Sequence, residues 1–310
     1  MAEPATTVLV TGATGFVGRR VTAALLREGF HVCALVRAAS RQRVDLPDGM
    51  AVADGDVRDA RAVAEAARGC GAVIHLVGIL RERGGQTYQA VHVDGTANVA
   101  AACREAGVRR LVHMSALGAG RGTPTAYFRT KEAAEACVRD AGLDFTILRP
   151  SVIHGPRGEF MIQMARMVAR FGPVPLVGRG DQTIQPVWVE DVARVFVEAL
   201  RRNATVGRTY DVGGPDVLTL RQFYRTLAGV LLGRRKRLMP VPTFAVRAGA
   251  WLAAHLTPDP PVTPDEVRML LAARPCDTRP MAEAFGIEPA RFEETLAAYA
   301  HELKAAAGLA

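Results

Sequence analysis

Tyr127 and Lys131 stand four residues apart in a segment, about Ala126–Ala141, whose composition predicts a helix, so both side chains share one face. Ser115 follows a predicted strand, Arg110–Met114, at its carboxyl end, where the sites of open α/β sheets lie. A phenol, an ammonium and a hydroxyl so arranged can move a proton to or from a carbonyl or alcohol oxygen. The phenol would be the general acid/base. Its ordinary pKa near 10 is too high for neutral pH, and a neighbouring ammonium favours the phenolate and lowers it. The hydroxyl would hold the substrate oxygen. The competing reading is an exposed tyrosine and lysine on a solvated helix. Against it, only three of the 39 basic residues are lysine (Lys131, Lys236 and Lys304), so the one lysine of the first 235 positions falls four after a tyrosine. A guanidinium, bulkier and fork-shaped, is a poor substitute there.

A second chemical signal is Thr11-Gly12-Ala13-Thr14-Gly15-Phe16-Val17-Gly18, between the first predicted strand and the first predicted helix. Gly12 permits a tight turn, Gly15 lets backbone approach a pyrophosphate, and Gly18 allows close helix–sheet packing. The helix N-terminus offers free N–H groups and a positive dipole end to phosphate. The strand–turn–helix context makes this a dinucleotide loop, against the plainer reading of a glycine turn without ligand. At the end of the second strand, where an NAD site places an acid for the ribose 2′-OH, stands Arg37, with Arg19, Arg41 and Arg43 nearby. Guanidinium groups complement a 2′-phosphate, so NADP(H) is expected in preference to NAD(H); the alternative is a solvated Arg37 and an unselective site. Asp56 is expected beside the adenine, although Gly55-Asp56 also reads as a turn.

The elements that must hold these groups alternate between strand and helix. Strands are expected at Thr7–Val10, His31–Val36, Ala51–Ala53, Ala72–Val77, Arg110–Met114 and Phe145–Leu148, with helices at about Phe16–Glu28, Asp59–Arg68, Thr87–Ala106 and Ala126–Ala141. The strands lack inside/outside alternation, as strands buried on both faces do. The fold class is therefore α/β: a Rossmann-type doubly wound parallel sheet with a smaller, mainly helical C-terminal substrate lobe. The expected division is 1–155 with 187–212 returning to the dinucleotide-binding domain, and 156–186 with 213–310 forming the substrate lobe.

Composition narrows the class. The chain has 310 residues, 49% hydrophobic and 23% charged, which excludes a disordered, collagen-like or disulfide-scaffold protein. The longest run without a charged residue, Pro4–Gly18, is 15 residues, too short to cross a bilayer. With no basic start to a signal peptide, a cytoplasmic location is expected, which leaves open a position peripheral to the inner membrane face. The five cysteines, Cys33, Cys70, Cys103, Cys137 and Cys276, read as small buried hydrophobes, and no metal site is expected. The net charge of +8 is spread along the chain apart from Arg234-Arg235-Lys236-Arg237, a solvated loop or a surface for an acidic partner or lipid headgroups. No nucleic-acid-binding motif is visible, so no nucleic-acid partner is expected.

The glycine loop, Tyr127-x-x-x-Lys131 and Leu148-Arg149-Pro150-Ser151 resemble the short-chain dehydrogenase/reductase superfamily in its extended and atypical, epimerase/dehydratase-like branches. Pro186–Ala193 and Tyr210–Gly214 also match those branches. More narrowly, Val91–Val99 and Leu111–Gly118 are similar to a subfamily that includes the nucleotide-binding accessory subunit of respiratory complex I and its bacterial relatives. The resemblance implies a Ser115/Tyr127/Lys131 triad, with Lys131 also bonding the nicotinamide ribose. The expected cofactor contacts are Gly12, Thr14, Gly15, Phe16, Gly18, Arg37, Asp56, Val57, Val77, Lys131 and Pro150. One departure is His92, where extended members carry Asn.

Among weaker signals, His75 and His113 read as satisfied core histidines. His154 and Phe160 are expected toward the substrate. The Met161–Met167 stripe reads as packing. The segment Pro242–Leu256, with Trp251, reads as a buried lobe helix or an amphipathic helix permitting peripheral membrane contact. Together these readings predict an NADP(H)-dependent oxidoreductase acting on the carbonyl/alcohol of an apolar, quinone- or lipid-like small molecule. The alternatives are a non-catalytic NADPH-binding accessory subunit in contact with a respiratory complex, and a sugar-nucleotide epimerase or dehydratase.

Overall fold

The computed structural model describes residues 6–41, 47–122, 125–257, 260 and 262–309. The chain divides into two compact units, each assembled from separated segments. The first comprises Met1–Pro150, Val189–Val212 and Arg279–Glu288; the second comprises Ser151–Trp188, Gly213–Thr278 and Pro289–Ala310.

The first unit is built on a seven-stranded sheet: β1 (Thr7–Thr11), β2 (His31–Val36), β3 (Ala51–Asp54), β4 (Ala72–His75), β5 (Arg110–Met114), β6 (Asp144–Pro150) and β7 (Arg208–Val212). Every pairing is parallel and the order is β7-β6-β5-β4-β1-β2-β3. Consecutive residues Val8, Leu9 and Val10 are all fully buried, because helices cover both faces of the sheet. Strand order reverses between β1 and β4, so the loops leaving these strands diverge and open a crevice at their carboxyl ends. Leu9, Val73 and Leu111 stand in register across β1, β4 and β5 and anchor the core. Two residues further on, the same face carries a buried polar row, Thr11, His75 and His113.

Four helices frame the site: α1 (Phe16–Arg27), α2 (Ala60–Ala67), α3 (Gly95–Glu105) and α4 (Ala126–Arg139). Asp59 caps α2 by accepting from the amides of Arg61 and Ala62, and Thr125 caps α4 by accepting from Phe128 N–H. The single helix expected over Thr87–Ala106 is two elements. A wide i→i+5 turn, Gln89–Asp94, precedes α3, and the 3.6-residue pattern of the sequence does not distinguish them. At the far edge of the sheet, helix Arg279–Phe285 returns to the first unit, where the Phe285 ring meets Tyr210 of β7 edge-on at 4.9 Å. This return was not expected from sequence. Residues 151–155 and Val187–Trp188, both expected in the first unit, cluster with the second, where Ile153–His154 and Val187–Trp188 pair with each other and not with the large sheet.

In the second unit, helices Glu159–Arg170 and Leu220–Leu232 pack Met161, Met164 and Val168 against Phe223, Leu227 and Leu231. Phe292, Leu296, Tyr299 and Leu303 close this core. Strand Val174–Val177 pairs in parallel with Leu238–Val241, a two-stranded ribbon that tolerates Pro175 and Pro240 because each strand is an edge. The cysteines depart from expectation: Cys103 is buried, while Cys33, Cys70, Cys137 and Cys276 are half-buried. Among the described residues no helix is long and apolar enough to cross a membrane, and no His/Cys/Asp/Glu cluster could hold a metal ion.

Candidate active site

The loop between β1 and α1 is shaped by close approach. Gly12 has φ +80°, and a Cβ there would lie 3.2 Å from Leu76 C and Val77 N at the exit of β4. At Gly18 a Cβ would stand 2.0 Å from Gly12 O, so no side chain fits. Gly15 caps α1 with extended backbone and donates its N–H to Gly12 O at 3.0 Å. It supplies no side-chain cap, and the first turn of α1 contains no acid. Thr14 and Phe16, both half-buried, flank this uncapped end. A helix start with free amides, a positive dipole end and no competing carboxylate fits a pyrophosphate.

At the ends of β2 and β3 the charges are sorted into pairs. Arg37 is exposed directly after β2. Arg41 is committed to Asp54 at 2.7 Å, and Arg43 lies outside the described residues. Asp56 accepts from Arg58 three times, through the backbone N and Nε at 3.0 Å and through Nη2 at 2.9 Å. Burial pushes the Asp56 carboxyl up, but these bonds and the charges of Arg58 and Arg37 hold it below the usual range. Val57 is buried, and its carbonyl accepts from Asn98 Nδ2 at 2.9 Å. Val77 is half-buried just past β4, and Pro150 is buried at the end of β6.

Tyr127, Lys131 and Glu135 form an i, i+4, i+8 stripe on α4. Lys131 is 2% exposed and donates from Nζ to Met114 O, at the end of β5, at 2.7 Å. Burial lowers its pKa from 10.5 to about 8, while the carboxylate of Glu135 pulls the other way. A Cβ built on Gly78 would lie 3.7 Å from Lys131 Nζ, which puts the ammonium against the exit of β4. Tyr127 is half-buried, its ring 5.1 Å from Phe128 and 5.5 Å from His92. Burial, reinforced by Tyr88, pushes its phenol above the ordinary value. Desolvation thus acts against the lowering expected from a neighbouring ammonium and a positive nicotinamide. Ser115 is buried, and its Oγ makes no geometrically complete hydrogen bond. It lies near Glu135, whose carboxyl burial would raise but which Arg149, Ser115 and Arg139 hold below its usual range. Arg149 grips Glu135 through Nε and Nη2 at 2.7 and 2.6 Å.

Three buried histidines surround this group. His75 Nδ1 lies 2.6 Å from Thr11 Oγ1, and Nε2 lies 3.1 Å from Thr96 Oγ1. Thr96 already donates to His92 O at 2.5 Å, so it accepts from His75, which is therefore the Nε2–H tautomer. His92 Nε2 lies 3.0 Å from Ile79 N and 3.1 Å from Ile79 O, and Nδ1 lies 3.0 Å from Thr130 Oγ1. His92 thus ties the loop after β4 to the turn of α4 between Tyr127 and Lys131. Burial and then the Lys131 charge lower both His75 and His92 to about 3, so both are neutral at pH 7. His113 stacks on His75 at 5.2 Å, but neither of its ring nitrogens has a partner, so the expected satisfied core histidine is found only at His75. Tyr88 stacks on His92 at 5.3 Å and donates its hydroxyl to Leu80 O at 2.6 Å. Tyr88, His92 and Glu135 were missed as site residues. The i, i+4 spacing of Tyr88 and His92, and of Lys131 and Glu135, was the signal that placed each pair on one face.

The two expected substrate residues lie in the second unit. His154 is fully buried, its Nδ1 3.2 Å from Tyr299 Oη and its ring 4.9 Å from Phe292. Its surroundings in this structure are therefore the core of that unit. Phe160 is partly buried against the same core, 6.0 Å from the Phe223 ring.

A parallel sheet with a switch point, an uncapped glycine-cradled helix start and a buried lysine at the end of β5 define a dinucleotide-binding α/β enzyme fold. The NAD dependent epimerase/dehydratase family matches residues 8–213, and the chain belongs to it. It is an NAD(P)-dependent oxidoreductase of the extended short-chain dehydrogenase/reductase type. Among its relatives is the mouse "NADH dehydrogenase [ubiquinone] 1 alpha subcomplex subunit 9, mitochondrial", 31% identical over 296 residues, 92% of this chain and 77% of that one. A "ceramide reductase" of Caulobacter vibrioides is 30% identical over 258 residues, 81% of this chain and 80% of that one. A "2-alkyl-3-oxoalkanoate reductase" of Stenotrophomonas maltophilia is 30% identical over 314 residues, 91% of this chain and 94% of that one. A solved UDP-glucuronic acid 4-epimerase from Bacillus cereus superposes with a TM-score of 0.76 at 18% identity, covering 97% of this chain and all of that one, and shares the fold.

Proposed function

We propose that the protein is an NADP(H)-dependent reductase of a carbonyl group on an apolar, lipid-like small molecule. The observation that carries the reading is the buried Lys131 ammonium, fixed to Met114 O, the residue before Ser115, on the same α4 face as Tyr127. When bound, the nicotinamide cofactor supplies or accepts the hydride. Tyr127 then gives the phenolic proton to the substrate oxygen, and its raised pKa means that it is protonated and able to do so at neutral pH. Ser115 Oγ orients the same oxygen. Lys131 stabilises the phenolate left behind and bonds the nicotinamide ribose. Gly12, Gly15 and Gly18 admit the pyrophosphate, with Thr14 and Phe16 beside it, and Val57, Val77 and Pro150 line the crevice. Arg37, exposed directly after β2 where an NAD site places an acid for the ribose, supports a 2′-phosphate and hence NADP(H) over NAD(H).

The substrate class is supported by the apolar exit of β4, Leu76-Val77-Gly78-Ile79-Leu80, with Leu80 exposed. The names of the two reductase relatives, which act on a ceramide and on a 2-alkyl-3-oxoalkanoate, point the same way. The test follows the absorbance of protein-bound NADPH on mixing with long-chain ketones, 3-oxoacyl compounds and quinones, for wild type and Tyr127→Phe. Oxidation by one class, slowed about 10²–10⁴-fold in the variant, supports the reading. A cofactor that stays bound and unreacted in both would refute it, and would favour a structural cofactor in a subunit of a respiratory complex, as the mouse relative's name suggests.

A further inference from the structure

Helix Thr243–Leu256 of the second unit is inside out. Its larger apolar residues face solvent: Phe244 is 75% exposed, Trp251 58%, Leu252 52% and Leu256 71%. At 100° per residue these four fall within an arc of about 140°. Val246, Ala250 and Ala253 lie on the opposite side, where Ala250 is buried and the other two are half-buried. A helix of a water-facing surface has the reverse pattern, with its large apolar residues turned toward the core. The chain enters the helix from Leu238–Val241, where Met239 and Pro240 are also exposed, and that strand follows the exposed residues Arg234, Arg235 and Arg237. Within this stretch of the chain the charge is one-signed, while the acids of the neighbouring helix Pro264–Ala272 are already engaged, Asp265 with Arg268 at 2.8 Å and Glu266 with Thr263 N–H at 2.8 Å. Between Val217 and Pro258 the sequence holds seven basic residues and no acidic one, against a net charge of +8 for the whole chain.

We propose that this helix and the arginine run before it form a docking surface for a lipid bilayer bearing anionic headgroups. The helix lies in the interface plane with Phe244, Trp251, Leu252 and Leu256 among the upper acyl chains, while Arg234, Arg235, Arg237 and Arg247 meet headgroup phosphates. The two halves suit one occupant: large apolar and aromatic side chains gain by leaving water, and the basic residues gain from the negative surface potential. A second copy of the chain suits it poorly, because pairing through this face would bring two acid-free basic segments together. Docking involves neither Tyr127 nor bound cofactor, so it stands or falls separately from the proposed chemistry.

The test is co-sedimentation of the full chain with vesicles of phosphatidylcholine alone and of phosphatidylcholine mixed with phosphatidylglycerol. Trp251 fluorescence and NADPH binding are read in parallel. Wild type is expected to bind the anionic vesicles, to be released by salt, and to show a blue-shifted Trp251 on binding. A triple variant, Arg234→Gln, Arg235→Gln and Arg237→Gln, should partition about a hundredfold more weakly. A double variant, Trp251→Ser and Leu252→Ser, should lose the membrane fraction while NADPH binding stays at wild-type strength, which reports an intact first unit. Failure of wild type to bind anionic vesicles overturns the proposal. So does full binding by either variant, or a soluble dimer that Trp251→Ser dissociates.

Discussion

Lys131→Met should stabilise the protein while abolishing turnover, and the size of the gain follows from the site. Burial lowers the Lys131 pKa from 10.5 to about 8. At about 1.4 kcal/mol per tenfold change in proton affinity, holding that charge inside the fold costs about 3 kcal/mol. Methionine fills a similar volume without the charge, but it forfeits the bond to Met114 O, worth about 1 kcal/mol. The variant should therefore be about 2 kcal/mol more stable at pH 7. The pH dependence carries the sign. Between about 8 and 10.5 the unfolded lysine keeps its proton while the folded one releases it, so raising pH through that window stabilises wild type relative to the variant. Below pH 8 both states are protonated and the penalty is constant. Urea denaturation of wild type and variant at pH 7 and pH 10, followed by first-unit signals, measures the difference at each pH. A variant less stable by the same amount at both would refute the reasoning, since the lysine would then be acting as an ordinary packing residue.

Two further substitutions probe the cofactor site. Gly18→Ala puts a Cβ 2.0 Å from Gly12 O, so the loop must move; an increase of tenfold or more in the Kd for NADPH is expected by fluorescence titration, together with a loss of stability of about 3 kcal/mol or more. Gly29→Ala, with open space around it, is the control: only its φ of +82° is strained, at about 1 kcal/mol, and NADPH affinity should be unchanged. Arg37→Ala should weaken NADPH by about ten- to a hundredfold while leaving NADH untouched, as loss of a charge-assisted bond to the 2′-phosphate requires. Equal losses for both cofactors in isothermal titration would assign Arg37 a general electrostatic role.

Much of the first unit was legible because its signals are local. A strand buried on both faces reads as an unbroken apolar run, and Gly12 through Gly18 state their packing demands within one turn. What escaped depends on partners distant in sequence. His154 was expected to face the substrate because it follows Ser151 closely, but it is fixed by Tyr299, 145 residues away. Glu135 looks like one more acid on a helix until Arg149 arrives from β6 to bury it. The desolvation that pushes the phenol of Tyr127 up was not visible either, since spacing reveals a neighbouring charge but not how dry its surroundings are. The exposed helix Thr243–Leu256 was legible as apolar, yet only the fold reveals which side of it was left uncovered.

The return of Arg279–Glu288 to the sheet edge has a consequence for how the protein is made. The chain passes between its two units five times, and the Phe285 ring that packs on Tyr210 is among the later residues to emerge from a ribosome. The nucleotide-binding half is therefore incomplete until Glu288 has been joined, when all of the other half but Pro289–Ala310 has also been made. Both halves must mature together, after more than 270 residues have been joined. No single cut in the gene would liberate either as an intact module. Recombination that exchanges the second unit between relatives would have to replace three separated stretches at once, so variation in it should arise by substitution rather than by replacement.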